Sequence, residues 1–149
     1  MDANSFEYLN MFVRLLLIFV LSVTSCASAQ KVLEINFTTS TRGYQKEITL
    51  TDHIMSVSET DRSGSETTHT TELNPEERDQ LQQLLQTLNM ETIPSLESPT
   101  KDRGIDRALI STLTFSTQDA KTYTHQFDDE TPNTYLQPIL DFILAVEKK

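Results

Sequence analysis

The residues best suited to chemistry are three histidines and a short run of acids near the end of the chain. His125 stands three positions before Asp128 and four before Asp129, and a histidine beside a carboxylate is a common general base in hydrolases. His53 and His69 lie far away in the sequence, and a metal site would need several ligands to converge. We expect all three histidines to be exposed on polar strands or turns, and we assign neither a catalytic residue nor a metal ligand.

Sequence motifs for known chemistry are missing. The chain has no Gly-x-Ser-x-Gly nucleophile elbow, no glycine-rich phosphate loop and no His-Glu-x-x-His pair. We therefore expect a protein that is not an enzyme and carries no cofactor. A hydrolase using His125 with Asp128 or Asp129 remains the enzymatic alternative.

A charged connection, "SPTKDRGIDRA" at residues 98–108, is the strongest candidate for ligand binding. Long ordered loops in small domains are often functional, and the rigid fork of arginine suits a carboxylate or phosphate. Alternatively, its charges only pair with one another, or with Arg42 or Asp128. The candidate binding loop comprises Arg42, Lys101, Arg103, Asp106 and Arg107.

An apolar run at residues 15–23, preceded by Arg14, predicts an export signal. The run is too short to span roughly 30 Å of bilayer hydrocarbon. The ten residues before Met11 include Asp2 and Glu7 and no base, whereas an export signal starts basic. Met11 is therefore an alternative start, and residues 1–25 form the predicted signal peptide.

Two cleavage positions compete after this signal, one before Cys26 and one after Ala29. Residues 23–26, Val-Thr-Ser-Cys, resemble the lipobox of bacterial lipoproteins, and that resemblance implies a lipid on Cys26 that attaches the protein to a membrane. The alanine after the cysteine then implies the outer membrane, with the domain facing the periplasm. Cleavage after Ala29 would instead release a secreted protein, and the short tether at 26–31 favours this rival. The absence of a second cysteine favours the lipoprotein.

Charge excludes one class of partner. The chain has a net charge of −10, whereas nucleic-acid binding requires clustered lysine and arginine. Partners are therefore predicted to be the membrane, through the lipid, and a protein of the cell envelope. The length predicts a single domain at residues 32–147.

Periodicity predicts the fold class. Four alternating strands precede an amphipathic helix, then come a hairpin, turning near Gln118, and a final helix. Strands joined by short links pair antiparallel, so we expect an α+β domain of order ββββ-α-ββ-α with both helices on one face of the sheet. The segment at 66–73 is polar and rich in threonine, which indicates an edge strand.

Both helices carry start signals and an apolar stripe. Asn74, Pro75 and Glu77 form a capping box with proline at the first helical position. Thr131 is the predicted N-cap of the last helix, and Pro132 is its predicted first residue. Because Pro138 lies inside the helical pattern, a later start of this helix is the alternative. The predicted core combines residues of both helices with the first strand: Leu81, Leu84, Leu85, Leu88, Leu136, Ile139, Leu140, Ile143 and Leu144 with Leu33, Ile35 and Phe37.

Similarity to known groups rests on three segments, "STRGYQKEITLT", "SPTKDRGIDRA" and "HQFDDETPNTYLQPILDFI". Together they resemble a group of small exported proteins of Bacteroidota. The element order is also similar to that of emfourin-like inhibitors of metalloproteases. The sequence lacks the Gly-Gly-Phe element of those inhibitors, so no inhibitory residue is assigned. We expect a small envelope lipoprotein with a non-catalytic binding domain, and a secreted protease-inhibitor-like module as the alternative.

Overall fold

Alternation of apolar and polar residues produces six strands, as the sequence predicts. A computed structural model describes residues 30–100 and 109–149. The strands are β1 (Val32–Thr41), β2 (Tyr44–Leu50), β3 (Ile54–Thr60), β4 (Glu66–Glu72), β5 (Ile110–Thr117) and β6 (Thr122–Asp128). The helices are α1 (Pro75–Gln86), a 3₁₀ helix (Met90–Ser95) and α2 (Gln137–Glu147).

All six strands form one antiparallel sheet in the order β4-β3-β2-β1-β5-β6. The first four strands follow one another as a meander, and the β5–β6 hairpin adds to the free side of β1. Phe37 in β1 therefore faces Ile48 in β2 on one side and Leu113 in β5 on the other. The sheet ends in two edge strands, β4 and β6, at opposite sides of the molecule.

Both long helices cover the same face of the sheet, which confirms the predicted α+β architecture. One continuous core joins Leu81 of α1 and Ile139 of α2 to the inward side chains of the strands. The opposite sheet face is polar and carries threonine and serine on most strands, for example Thr49, Ser56 and Thr114. This division is the usual one for an antiparallel sheet that is solvated on one side.

The predicted core is confirmed for most of its residues and wrong for Leu33. Leu33 is 49% exposed, whereas Ile35 and Phe37 are buried. A register irregularity between Val32 and Glu34 interrupts the alternation there. The bulge turns Val32 toward the core in place of Leu33.

The start of α1 is confirmed and that of α2 is corrected. The Asn74 side chain accepts a hydrogen bond from the Glu77 amide, and Glu77 accepts one from the Asn74 amide, both at 2.9 Å. Thr131 does not cap α2, because Leu136 is the N-cap residue of this helix and Gln137 is its first helical residue. Pro138 thus lies in the first turn, where a missing amide hydrogen costs nothing.

A polar cluster fixes the end of α2 on the sheet. Lys46 of β2, whose side chain is only 12% exposed, forms ion pairs with Glu147 of α2 and with Glu59 of β3. Burial of the ammonium group would lower the pKa of Lys46, but the hydrogen bond and the charge of Glu147 outweigh it and raise the pKa above its usual value. None of the helices in the described ranges has both the length and the apolar character needed to cross a bilayer.

Candidate functional site at the β6 edge

The β6 edge is covered by a second piece of chain. Residues 90–100, here called the cover segment, contain the 3₁₀ helix, which packs beside β6. Met90 and Ile93 of this segment are buried in the common core. Tyr123 of β6 donates a hydrogen bond from its hydroxyl to Glu91 at 2.9 Å. The apolar anchors and this bond fix the first half of the cover segment.

Asn133 fixes the second half. Its Nδ2 donates to the Glu97 carbonyl at 3.0 Å, its Oδ1 accepts from the Tyr135 amide at 3.1 Å, and its own amide donates to His125 Nε2 at 3.4 Å. The Tyr135 hydroxyl in turn donates to the Thr87 carbonyl at 2.9 Å. Residues 131–136, predicted as the first turns of a helix, therefore serve to hold the cover segment.

A cavity remains between the cover segment and β6. Its volume is about 400 Å³, within the range of small-ligand pockets, which is about 300–1,000 Å³. Residues of both elements line it: Pro94, Leu96, Glu97, Ser98, Thr124, His125 and Gln126. The Ser98 hydroxyl oxygen is buried and makes no hydrogen bond. A buried hydroxyl without a partner is uncommon, because losing its hydrogen bonds to water costs free energy.

The prediction that all three histidines are exposed is wrong for His125, which is only 3% exposed. Tyr123, His125 and Phe127 alternate along β6 and all point toward the helices, and the rings of His125 and Phe127 stack with centroids 5.5 Å apart. The regular spacing of two large aromatic residues on either side of the histidine is the sequence signal for this burial.

Strand register places His125 and Asp128 on opposite faces of β6. His125 faces Leu113, which is in the core, whereas Asp128 faces Ile110, which is exposed on the polar side. Asp128 is itself buried and accepts a hydrogen bond from the Thr100 hydroxyl at 2.6 Å. This placement does not favour a proton relay between the two residues.

The predicted binding loop begins at this same place. Thr100, bound to Asp128, is the last described residue before the loop. Leu109 is the first described residue after it, and its carbonyl accepts from the Asp129 amide at 2.9 Å. The loop residues Lys101, Arg103, Asp106 and Arg107 lie outside the described residues. So does Cys26, with the signal peptide and the tether up to residue 29.

Arg42 lies in the exposed turn between β1 and β2. Strand register puts this turn at the end of the sheet where β5 begins, since Ser40 faces Ile110. Arg42 thus shares one end of the sheet with both described ends of the charged loop. The other two histidines lie elsewhere. His53, in the β2–β3 turn, has its Nδ1 3.2 Å from Nη1 of Arg78, and His69 lies in the middle of β4.

Charge at the other end of the β6 edge is balanced within a tight turn. Asp119 accepts a hydrogen bond from the Thr117 hydroxyl at 2.5 Å, which lowers the pKa of its carboxyl group. Lys121 lies 3.4 Å from Asp119, and its hydrogen bond to this carboxylate raises the pKa of the lysine. The exposed carboxylate at the cavity itself is that of Glu97.

Side chains for metal binding do not converge: within residues 30–100 and 109–149, no three of the His, Cys, Asp and Glu types form a group able to hold a metal ion. Comparison of the chain with known proteins matched no family model, no curated protein and no solved structure.

Proposed function

We propose that this chain is a small lipoprotein of the cell envelope whose domain binds a protein partner and catalyses no reaction. The observation that carries the binding role is the cavity of about 400 Å³ at the β6 edge, with the buried, unpartnered Ser98 hydroxyl in its wall. Rotation of the Ser98 side chain toward the cavity would let a ligand group bond to this hydroxyl and recover the free energy that its burial costs.

Chemistry of the lining favours a long basic side chain of the partner. Pro94 and Leu96 offer apolar surface for its methylene groups, and the carboxylate of Glu97 offers a partner for its charge. The net charge of −10 on the chain would also attract a basic partner over some distance.

The test blocks the cavity without disturbing the core. Thr124 is exposed and lines the cavity, whereas Thr122 is exposed on the same strand and does not line it. We expect Thr124→Arg to abolish capture of the envelope partner by a Cys26→Ser form of the chain, and Thr122→Arg to leave capture intact. Equal capture by both variants, with equal melting temperatures, would refute the role of the cavity.

Attachment to the membrane is tested separately. The lipobox resemblance leads us to expect, in the membrane fraction, a chain that starts at Cys26 and carries acyl groups, measured as intact mass. A soluble chain starting at Gln30 would instead support the secreted form. The Gln118 amide donates to the Lys31 carbonyl at 2.9 Å, so a tether at residue 26 would place the β5–β6 turn near the membrane. The described ends of the charged loop, Thr100 and Leu109, would then lie at the far end of the sheet.

A further inference from the structure

The free edge of the sheet carries a palindrome. Strand β4 reads Glu-Thr-Thr-His-Thr-Thr-Glu over Glu66–Glu72, with His69 at its centre. It pairs with β3 on one side only, and every residue except the half-buried Thr71 is exposed. An edge strand offers unpaired backbone amides and carbonyls to another strand.

We propose that β4 pairs antiparallel with β4 of a second copy of this chain, about a twofold axis through His69. An isologous contact requires that residue i faces residue j and that j faces i. In this register Thr67 faces Thr71 of the second copy, and Thr68 faces Thr70. A palindrome makes each of these pairs identical in kind, and facing threonines are favourable neighbours across strands.

Charge at the two ends of the strand fits this pairing. Glu66 would face Glu72 of the second copy, but the Ser58 hydroxyl donates to the Glu66 carboxylate at 3.1 Å and draws it over β3, away from the edge. Arg78 is the cation near the Glu72 end, since its Nη1 is 3.2 Å from Nδ1 of His53, whose carbonyl accepts from the amide next to Glu72. Arg62, in the turn before Glu66, instead packs its side chain beside Gly43 in the β1–β2 turn. Antiparallel pairing brings the Glu66 end of one copy beside the Arg78 end of the other.

The small contact area sets the expected stability of the dimer. A strand of seven residues provides a contact well below the roughly 1,000 Å² of stable protein interfaces. The dimer is therefore weak and reversible, and its population rises with protein concentration.

Cysteine cross-linking tests the register. Residues directly opposite in an antiparallel pair lie about 4.5–5.5 Å apart at Cα, which suits a disulfide. In a Cys26→Ser background, which removes the single native thiol, His69→Cys should form a disulfide dimer on mild oxidation. Thr67→Cys is the matched control, because its two copies would lie four positions from alignment. Strongest cross-linking at residue 67, 68 or 70, or none at 69, would overturn the proposal.

Charged substitutions at Thr68 and Thr70 test the same cross-strand pairs without oxidation. Thr68→Lys with Thr70→Lys sets like charges opposite one another twice, so we expect the dimer dissociation constant to rise about tenfold. Thr68→Lys with Thr70→Glu sets opposite charges in the same places and should restore or strengthen the dimer. Sedimentation equilibrium measures both, and circular dichroism checks that both variants fold. Equal behaviour of the two variants would refute pairing in this register.

Discussion

The two edge strands of the sheet have the same length, but one is covered by a second segment of the chain and the other is exposed. Each edge strand has seven residues with a histidine at its centre, and β4 carries four threonines where β6 carries two. Strand β6 buries Tyr123, His125 and Phe127 and is covered by residues 90–100, whereas β4 buries no side chain fully and stands bare. The comparison shows that edge position does not decide whether a strand joins the core; the alternation of large side chains does.

The largest expected difference between the edges is in stability. Phe127 is fully buried and stacks on Phe37 with ring centroids 6.3 Å apart. Phe127→Ala should therefore lower the free energy of unfolding by about 3–5 kcal/mol. Thr70→Ala in β4 should change it by no more than about 0.5 kcal/mol. Urea unfolding measures both, and comparable losses would mean that β4 contributes to the core after all.

A smaller effect is expected from loosening the cover on β6. Asn133→Asp keeps the acceptor for the Tyr135 amide but replaces the donor to the Glu97 carbonyl with a charged oxygen. We expect a loss of about 1–3 kcal/mol, because the carbonyl loses its donor and faces a negative charge. Hydrogen exchange should accelerate at residues 96–98 and not in β4. Unchanged exchange at 96–98 would show that other contacts hold the cover.

The smallest expected effect is on stability in acid, where the hairpin turns at the two edges can be compared. Asp61, in the β3–β4 turn, accepts hydrogen bonds from the hydroxyl and the amide of Ser63 and from the Ser65 amide, and these bonds lower its pKa. The pKa of Asp119, in the β5–β6 turn, is lowered by its bond from Thr117.

Both carboxylates therefore stabilise the fold above the unfolded-state pKa of about 3.9, and this contribution disappears as the pH falls through the lower folded-state value. Asp61→Asn and Asp119→Asn should each flatten the decline of melting temperature below about pH 4. A decline as steep as that of the unchanged protein would refute the assignment for that turn.

Much of the fold is predictable because its signals are local. The capping box of Asn74 and Glu77 fixes the start of α1, and alternation fixes the strands. The polar composition of β4 predicts its edge position. The burial of His125 also has a local signal, the alternation with Tyr123 and Phe127. By contrast, the later start of α2 depends on Asn133, whose side chain binds the carbonyl of Glu97 far away in the sequence.

The candidate cavity could not be predicted from the sequence for the same physical reason. Its walls come from residues 94–98 and 124–126, which are brought together only in the folded sheet. The bulge that exposes Leu33 is likewise set by pairing with β5. The charged connection is recognisable from its composition, and its described ends, Thr100 and Leu109, lie beside Asp128 and Asp129.

The central position of β1 has a consequence for the order of folding. Its pairing with β2 closes a short turn at Arg42 and Gly43, so the β1–β4 meander can form early. Its other partner, β5, comes only after α1 and the cover segment. Until β5 pairs with it, β1 is itself an open edge strand with unpaired backbone groups, and such non-local pairing is slow to form. We therefore expect attachment of the β5–β6 hairpin to be the step at which a folding chain is most exposed to aggregation.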